Sequence, residues 1–444
     1  MLQGGGMSLL PPVGFLPFPL LSRYWRACLV ISAEEALARI LDRVERMPVV
    51  HVPILEALGQ VLAEDVRAAF DVPPLDNAAM DGYAVRAADT AGASEGNPRW
   101  LRVIGGVAAG ALSDRSVEPG TAVRIMTGAP VPPGADAVVQ FEHTSEGWKL
   151  PGAAATPGAS IAVVRAIAAG GNVRKAGEDI RQGSVVLKQG TVIRPAEVGV
   201  LASLGKVDCA VYRRPRVAIL STGDELTEPG QPLTPGHIYD ANSYSLAAQV
   251  ARTGGLPVRL GIARDNRADL EAKLRSASQY DLLLTSAGVS VGDYDIVKEI
   301  LAAEGEINFW RVRIKPGKPL AFGHIRGIPH LGLPGNPVSS MVAFELFARP
   351  AILKMMGRTA LHRQMVEAVL EGAADNRDGR RVFLRARVEK KNGEYVARLT
   401  GPQGSGILTS MSLANALVII PEERARVQTG DRLQTMMLDW PEQD

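Results

Sequence analysis

Ser221-Thr222-Gly223-Asp224-Glu225, Thr285-Ser286-Ala287-Gly288-Val289-Ser290-Val291-Gly292-Asp293-Tyr294-Asp295, Lys315-Pro316-Gly317-Lys318-Pro319 and Leu333-Pro334-Gly335-Asn336-Pro337 are the stretches on which the fold turns. Each follows a short apolar run, and helical patterns fall between them. Such alternation predicts an open, mostly parallel sheet, in which the loops leaving the strand carboxyl ends share one edge and ligands bind there. That edge would gather acids, lysines, hydroxyls and bare glycine amides. The mixture suits an anionic, phosphate-bearing substrate accompanied by a hard cation.

Around this segment, 444 residues are too many for one core, so several domains are expected. An apolar share of 46% and a charged share of 22% are those of a globular chain, and a formal charge of +2 gives no reason to expect nucleic-acid or membrane binding. Cys28 and Cys209, far apart and in no ligand spacing, argue against disulfides and thiolate zinc sites. A reducing, cytoplasmic setting fits, and any metal must be held by carboxylates. Residues 9–21 are apolar but broken by Pro11, Pro12, Pro17 and Pro19, so residues 1–30 read as a disordered or mis-started extension.

Ser32 and Glu35 form a capping box for a helix expected to run to about Arg46, and Leu55, Leu58 and Leu62 suggest a second helix over 54–63. Residues 71–174 change texture: frequent glycine and proline, short apolar runs and no helical period predict an inserted β-domain. Residues 31–70 with 175–213 form an N-terminal helical/mixed linker or dimerisation domain, and 214–357 the α/β domain. Residues 358–444 return to strand alternation, with Val382, Leu384, Ala386 and Val388 on one face and Lys391-Asn392-Gly393 as a hairpin turn.

The loops carry the chemistry. Asn336 and Pro337 suit an N-cap and first helical residue, so the helix behind them offers a free amino end to an anion. Gly288 and Gly292 let amides approach a phosphate, Ser286 and Ser290 add hydroxyls, and Asp293 and Asp295 follow; helix capping explains the two acids equally well. Asp224, Glu225 and Asp265 lie beyond buried strands, where acids favour metal binding. Lys315 and Lys318 flank a Pro-Gly turn, and two ammonium groups held that close repel unless an anion lies between them. Outside this domain, Asp76-Asn77-Ala78-Ala79-Met80-Asp81-Gly82-Tyr83 and Ile125-Met126-Thr127-Gly128-Ala129-Pro130 are unusually polar for simple connections.

Together these motifs closely resemble the molybdopterin molybdenumtransferases, the MoeA family that includes the gephyrin E domain, from about Ser32 to about Leu433. The resemblance implies a multidomain α/β plus β chain: a central MogA-like three-layer α/β domain, an inserted β-domain, an N-terminal helical/mixed domain and a C-terminal β-barrel-like domain. It implies a homodimer with the active site shared between subunits, and insertion of molybdate into adenylylated molybdopterin with Mg2+-dependent release of AMP. The molybdopterin adenylyltransferase would be a partner. By motif, the functional residues are Asp81, Thr127, Asp179, Glu225, Asp265, Asp295, Lys315, Pro334 and Pro337, with Arg385 and Ser405 at positions linked to oxyanion binding. Glu225, Asp265 and Asp295 would hold magnesium, Gly288, Gly292 and Pro337 would cradle phosphate, and Lys315, Lys318, Arg385 and Ser405 would hold molybdate. Arg311 stands where relatives often have lysine, and Ala287 replaces a frequent glycine. Two other readings remain: molybdopterin adenylylation by ATP, and a non-catalytic gephyrin-like scaffold.

Overall fold

A computed structural model describes residues 29–147, 157–287 and 305–440. The N-terminal extension, Gly288, Ser290, Gly292, Asp293, Asp295 and the helix expected after them lie outside the described residues. Chain contacts divide the protein into two units, one of residues 1–48 and 212–444 and one of residues 49–211. The segment 31–70, grouped as one piece in the sequence reading, is therefore split at Pro48.

The first unit opens with β1 (Leu29–Ile31) and α1 (Ala33–Asp42). Ser32 caps α1 by accepting the Glu35 N–H at 3.1 Å, but Glu35 turns its own carboxylate to Arg39, 2.6 Å away, rather than back to the cap. Only half of the capping box forms, and the helix ends at Asp42, a turn short of the expected Arg46.

The second unit begins with β2 (Val49–Pro53). Its expected helix over 54–63 is absent. Gly59 takes φ +81°, Val61 and Leu62 bridge to Val192 and Val211, and Leu55 is 77% exposed. The apolar spacing there served isolated β-bridges, a case in which tertiary pairing overrides helical period. A five-stranded sheet follows, formed by β3 (Gly82–Val85), β4 (Arg99–Val107), β5 (Thr121–Ile125), β6 (Ala137–Gln140) and β7 (Ser160–Val163), in the order β6-β3-β5-β4-β7. The helix α2 (Pro195–Ser203) and strand β8 (Asp208–Tyr212) close the unit, β8 pairing with β2.

At the head of α2 the Arg194 guanidinium lies 2.7 Å from the Glu197 carboxylate and holds it down to about 2 from 4.5. A carboxyl group lowered by folding stabilises the native state above its unfolded value and loses that contribution as pH falls through the folded one. Acid unfolding of the wild type should accordingly steepen between pH 4.5 and about 2. Glu197→Gln should flatten that part of a pH series followed by circular dichroism.

The chain then returns to the first unit with β9 (Arg216–Thr222), α3 (Ala241–Thr253), β10 (Leu256–Ala263), α4 (Arg267–Ala277) and β11 (Leu282–Ser286). After them come β12 (Gly305–Val312), β13 (Pro319–Ile325), β14 (Ile328–Leu333), α5 (Pro337–Ala343) and α6 (Arg349–Met355). The sheet order is β1-β12-β13-β14-β11-β9-β10, parallel throughout except that β13 runs against both neighbours. Val217 and Ile219 pack with Leu246, Val250 and Ile352 on one face, while Ala218 and Leu220 pack with Leu270 and Leu274 on the other. Burial on both faces is why the strands read as continuous apolar runs and why the domain has three layers.

The remaining strands are β15 (Met365–Glu371), β16 (Arg381–Lys391), β17 (Glu394–Leu399), β18 (Ala416–Ile420) and β19 (Arg432–Met437). They close on themselves in the order β16-β17-β15-β19-β18, because β18 also pairs with β16. Asn392 and Gly393, at φ +52° and +86°, make the tight turn between β16 and β17 that the Asn-Gly pair predicts. Among the described residues no helix is long and apolar enough to cross a membrane.

Candidate active site

Strand direction alone gathers the loops. The carboxyl ends of β10, β9, β11, β14 and β12 lie on one edge of the sheet, and the turn from β12 to β13 returns on that edge too. Thr222 stands beside Ala263, Ser221 beside Ser286, and Ser286 beside Leu333. Asp265, Glu225, Ser286 and Pro334 therefore leave the sheet at one level.

At one end of this edge the two acidic turns are stitched together. Asp224 accepts the Asp265 N–H at 3.2 Å, and Arg264 Nη1 donates to the Asp224 and Leu226 carbonyls. Asp224, a metal candidate in the sequence, is thus a link between turns. Glu225 and Asp265 are exposed on neighbouring strand ends. The Glu225 carboxylate folds over Gly223, whose φ of +145° favours glycine there. Both are oxygen donors of the kind magnesium takes, while Asp295 lies outside the described residues.

The middle of the edge depends on a residue the sequence reading missed. Asn242, in the first turn of α3, donates from Nδ2 to Ser286 Oγ and to the Gly335 carbonyl, both at 2.7 Å. It ties the glycine-rich loop to the Pro334-Gly335 loop. Ala287, next in the loop, sits at φ +75°, a left-handed backbone that disfavours any side chain. Asn242→Ala removes both bonds and should lower turnover by about 10²-fold, the scale of a 1 Å misplacement. A KM and kcat comparison checks it.

The far end carries the cations. Lys315, in the two-residue strand Ile314–Lys315, pairs with the start of β16 and so joins sheet edge to barrel. Its Nζ lies 3.2 Å from Asp378 Oδ2. The anion expected at the lysine pair is, in part, this intramolecular carboxylate, held low by Arg380 and then by Lys315. Lys318 is exposed, and Arg311 is half-buried in β12 opposite Pro319. Five strand spacings separate β10 from β12, about 24 Å at 4.8 Å each. One small ion cannot touch both Asp265 and Arg311. A ligand using both ends must be elongated.

Two expectations change here. The first turn of α5 is not wholly free, because the Val338 N–H donates to the Ser405 carbonyl at 3.0 Å. That bond brings Ser405 to Pro337. Arg385, expected on an oxyanion, is 1% exposed. Its Nε donates to Ser410 Oγ at 3.0 Å and its Nη2 to the Gly404 carbonyl at 2.9 Å. It shapes the loop that presents Ser405, since a buried guanidinium takes whatever acceptors surround it.

In the other unit, Thr127 donates both its N–H and its hydroxyl to Asp81 Oδ1, each at 2.7 Å, and these bonds keep the Asp81 carboxyl below its usual range. The two residues from distant motifs thus touch. Asp179 is exposed, its N–H held by the Val72 carbonyl. A hydroxyl at the end of one polar motif and an acid in the other were legible. Their mutual bond was not.

Comparison with known proteins agrees with this architecture. The model of the MoeA N-terminal region (domain I and II) matches residues 31–205. The probable molybdopterin binding domain matches 218–354, and the MoeA C-terminal region (domain IV) matches 367–438. The molybdopterin molybdenumtransferase 2 of Mycobacterium tuberculosis is 39% identical over 410 residues, covering 91% of this chain and 98% of its own. The molybdopterin molybdenumtransferase of Haemophilus influenzae is 34% identical over 409 residues, covering 90% and 97%. A molybdopterin biosynthesis MoeA crystal structure from Pyrococcus horikoshii superposes with a TM-score of 0.74 at 34% identity, covering 92% of this chain and all of that one.

Proposed function

The chain belongs to the MoeA family of molybdenum cofactor biosynthesis, and from that premise we propose that it inserts molybdate into adenylylated molybdopterin with release of AMP. The observation that carries this reading is the division of one sheet edge into an acidic end and a cationic end about 24 Å apart. A pterin joined to a nucleotide through a pyrophosphate is elongated enough to use both. Molybdate, a compact dianion, suits the cationic end.

Each residue then has a task. Asn242 fixes the Ser286 hydroxyl and the Gly335 backbone, which flank the path of the pyrophosphate. Lys315 and Lys318 attract the oxyanion and hold it by the pterin sulfurs, replacing a bimolecular encounter by a bound pair. Arg385 keeps the loop of Ser405 in position beside Pro337. Glu225 and Asp265, with Asp295, would hold magnesium, which when bound neutralises charge on departing AMP. No nucleophilic side chain is required, since the substrate brings its own sulfurs.

The test is incubation with adenylylated molybdopterin, molybdate and magnesium, followed by chromatography of AMP and of the cofactor. AMP release that requires molybdate supports the proposal. Formation of an adenylylated product from ATP and free molybdopterin would instead indicate an adenylyltransferase. The homodimer and the adenylyltransferase as donor partner belong to the same proposal, and sedimentation of the purified chain, alone and mixed with that enzyme, checks both.

A further inference from the structure

Away from the strand-end edge, three guanidinium groups converge on a cavity of about 240 Å³. Its walls include Arg252 from the last turn of α3, Arg349 from the start of α6, His362, Arg363, Asp439 and Trp440. Asn242 marks the opposite end of α3, ten residues earlier, about 15 Å along the axis at 1.5 Å per residue. The cavity is therefore separate from the site described above.

Among the described residues, charge there does not balance. Glu345 Oε2 lies 2.9 Å from Arg363 Nε and 3.8 Å from Arg349 Nε, so one carboxylate serves two arginines. Asp439 is engaged by Arg252. Arg363 Nη2 also reaches Glu345 Oε1 at 3.3 Å, and the remaining bonds go to neutral carbonyls, Arg349 Nη1 to Leu361 at 3.0 Å and Arg363 Nη1 and Arg252 Nη2 to Leu438 at 3.1 and 2.7 Å. Among the described residues, Arg349 Nη2 has no hydrogen bond. Arg349 and Arg363 expose only 15% and 17% of their side chains, so solvent does little to screen them. Burial first, then repulsion from Arg363, Arg252 and Arg358 against the pull of Glu345, lowers Arg349 to about 10.

An excess positive charge in a polar, partly enclosed cavity is unfavourable unless an anion enters. Guanidinium forks match tetrahedral oxyanions, and one such anion would offset the excess. The space holds a group several waters in size. We propose that this cavity binds a tetrahedral oxyanion of the phosphate class, either free phosphate or the head of a phosphomonoester. The proposal does not depend on the reaction assigned to the strand-end edge.

Isothermal titration calorimetry on the full chain, at ionic strength matched with sodium chloride, tests it with inorganic phosphate in one arm and glycerol phosphate in the other. Wild type should bind phosphate, and Arg349→Gln should weaken it about tenfold or more, the worth of one charged hydrogen bond. Lys315→Ala removes the other oxyanion site, so phosphate should still bind this variant, at the cavity. Glycerol phosphate binding as well as phosphate assigns the pocket to phosphomonoesters, and its rejection assigns it to the free ion. If Arg349→Gln does not fold, Arg252→Gln, whose side chain is half exposed, provides the same comparison. Equal affinity in wild type and variant, no heat in wild type, or loss of binding in Lys315→Ala would overturn the proposal. So would binding that appears only after residues 441–444 are removed, since the carboxylates of Glu442 and Asp444 would then be the occupant.

Discussion

Alanine at position 315 is expected to lower the rate of molybdenum insertion by about 10²–10³-fold, the range for removing one preorganised charge from a reacting centre. Stability should change by no more than about 0.5–1 kcal/mol. Lys315 is half exposed, and its pair with Asp378 is a surface pair that solvent screens and that contributes little. After its removal Asp378 still has Arg380. Steady-state assays at limiting and saturating molybdate separate lost binding from lost turnover. Asp378→Asn should act in the opposite direction on molybdate affinity, because it frees Lys315 from an internal competitor. Full activity in Lys315→Ala would remove the cationic end from the mechanism.

Gly357→Ala should destabilise the protein by about 3 kcal/mol, through backbone strain and a new clash together. Gly357 ends α6 in a Schellman arrangement, its N–H bonded to the Lys354 carbonyl and that of Arg358 to Leu353. Its φ of +79° costs alanine about 1–2 kcal/mol. The new Cβ would also stand 2.3 Å from Cδ2 of the buried Tyr212 ring, an overpacking worth about 1–3 kcal/mol more. Gly393→Ala is the control. At φ +86° it carries the same backbone strain but meets no atom within 4 Å, so about 1 kcal/mol is expected. Urea unfolding of both variants measures the difference, and equal losses would show that packing against Tyr212 contributes nothing.

The legible parts of the fold were those in which one physical signal dominated. Residues 217–220 and 282–284 are apolar without interruption because both faces are covered, and such runs between helical patterns admit few architectures. Gly254 at φ +102° ends α3, as glycine does at a helix terminus. The segment 54–63 failed because leucines at helical spacing do not show that Gly59 is left-handed or that Val61 and Leu62 find strand partners more than a hundred residues away. Arg385 is a different case: its motif pointed to an oxyanion, and burial adds that the side chain bonds the loop of Ser405.

By itself the sequence determined which chemical groups leave the strand ends and that those ends share an edge, because strand direction and connection handedness are local rules. It placed Glu225, Asp265 and Lys315 on that edge without their distances. Tertiary structure alone decided strand order, and with it the separation of acids from lysines, the stitching by Asn242, the pairing of Lys315 with Asp378, and the arginine cavity behind α3. Those features join residues tens to hundreds of positions apart. Their energies arise from contacts that no local pattern encodes.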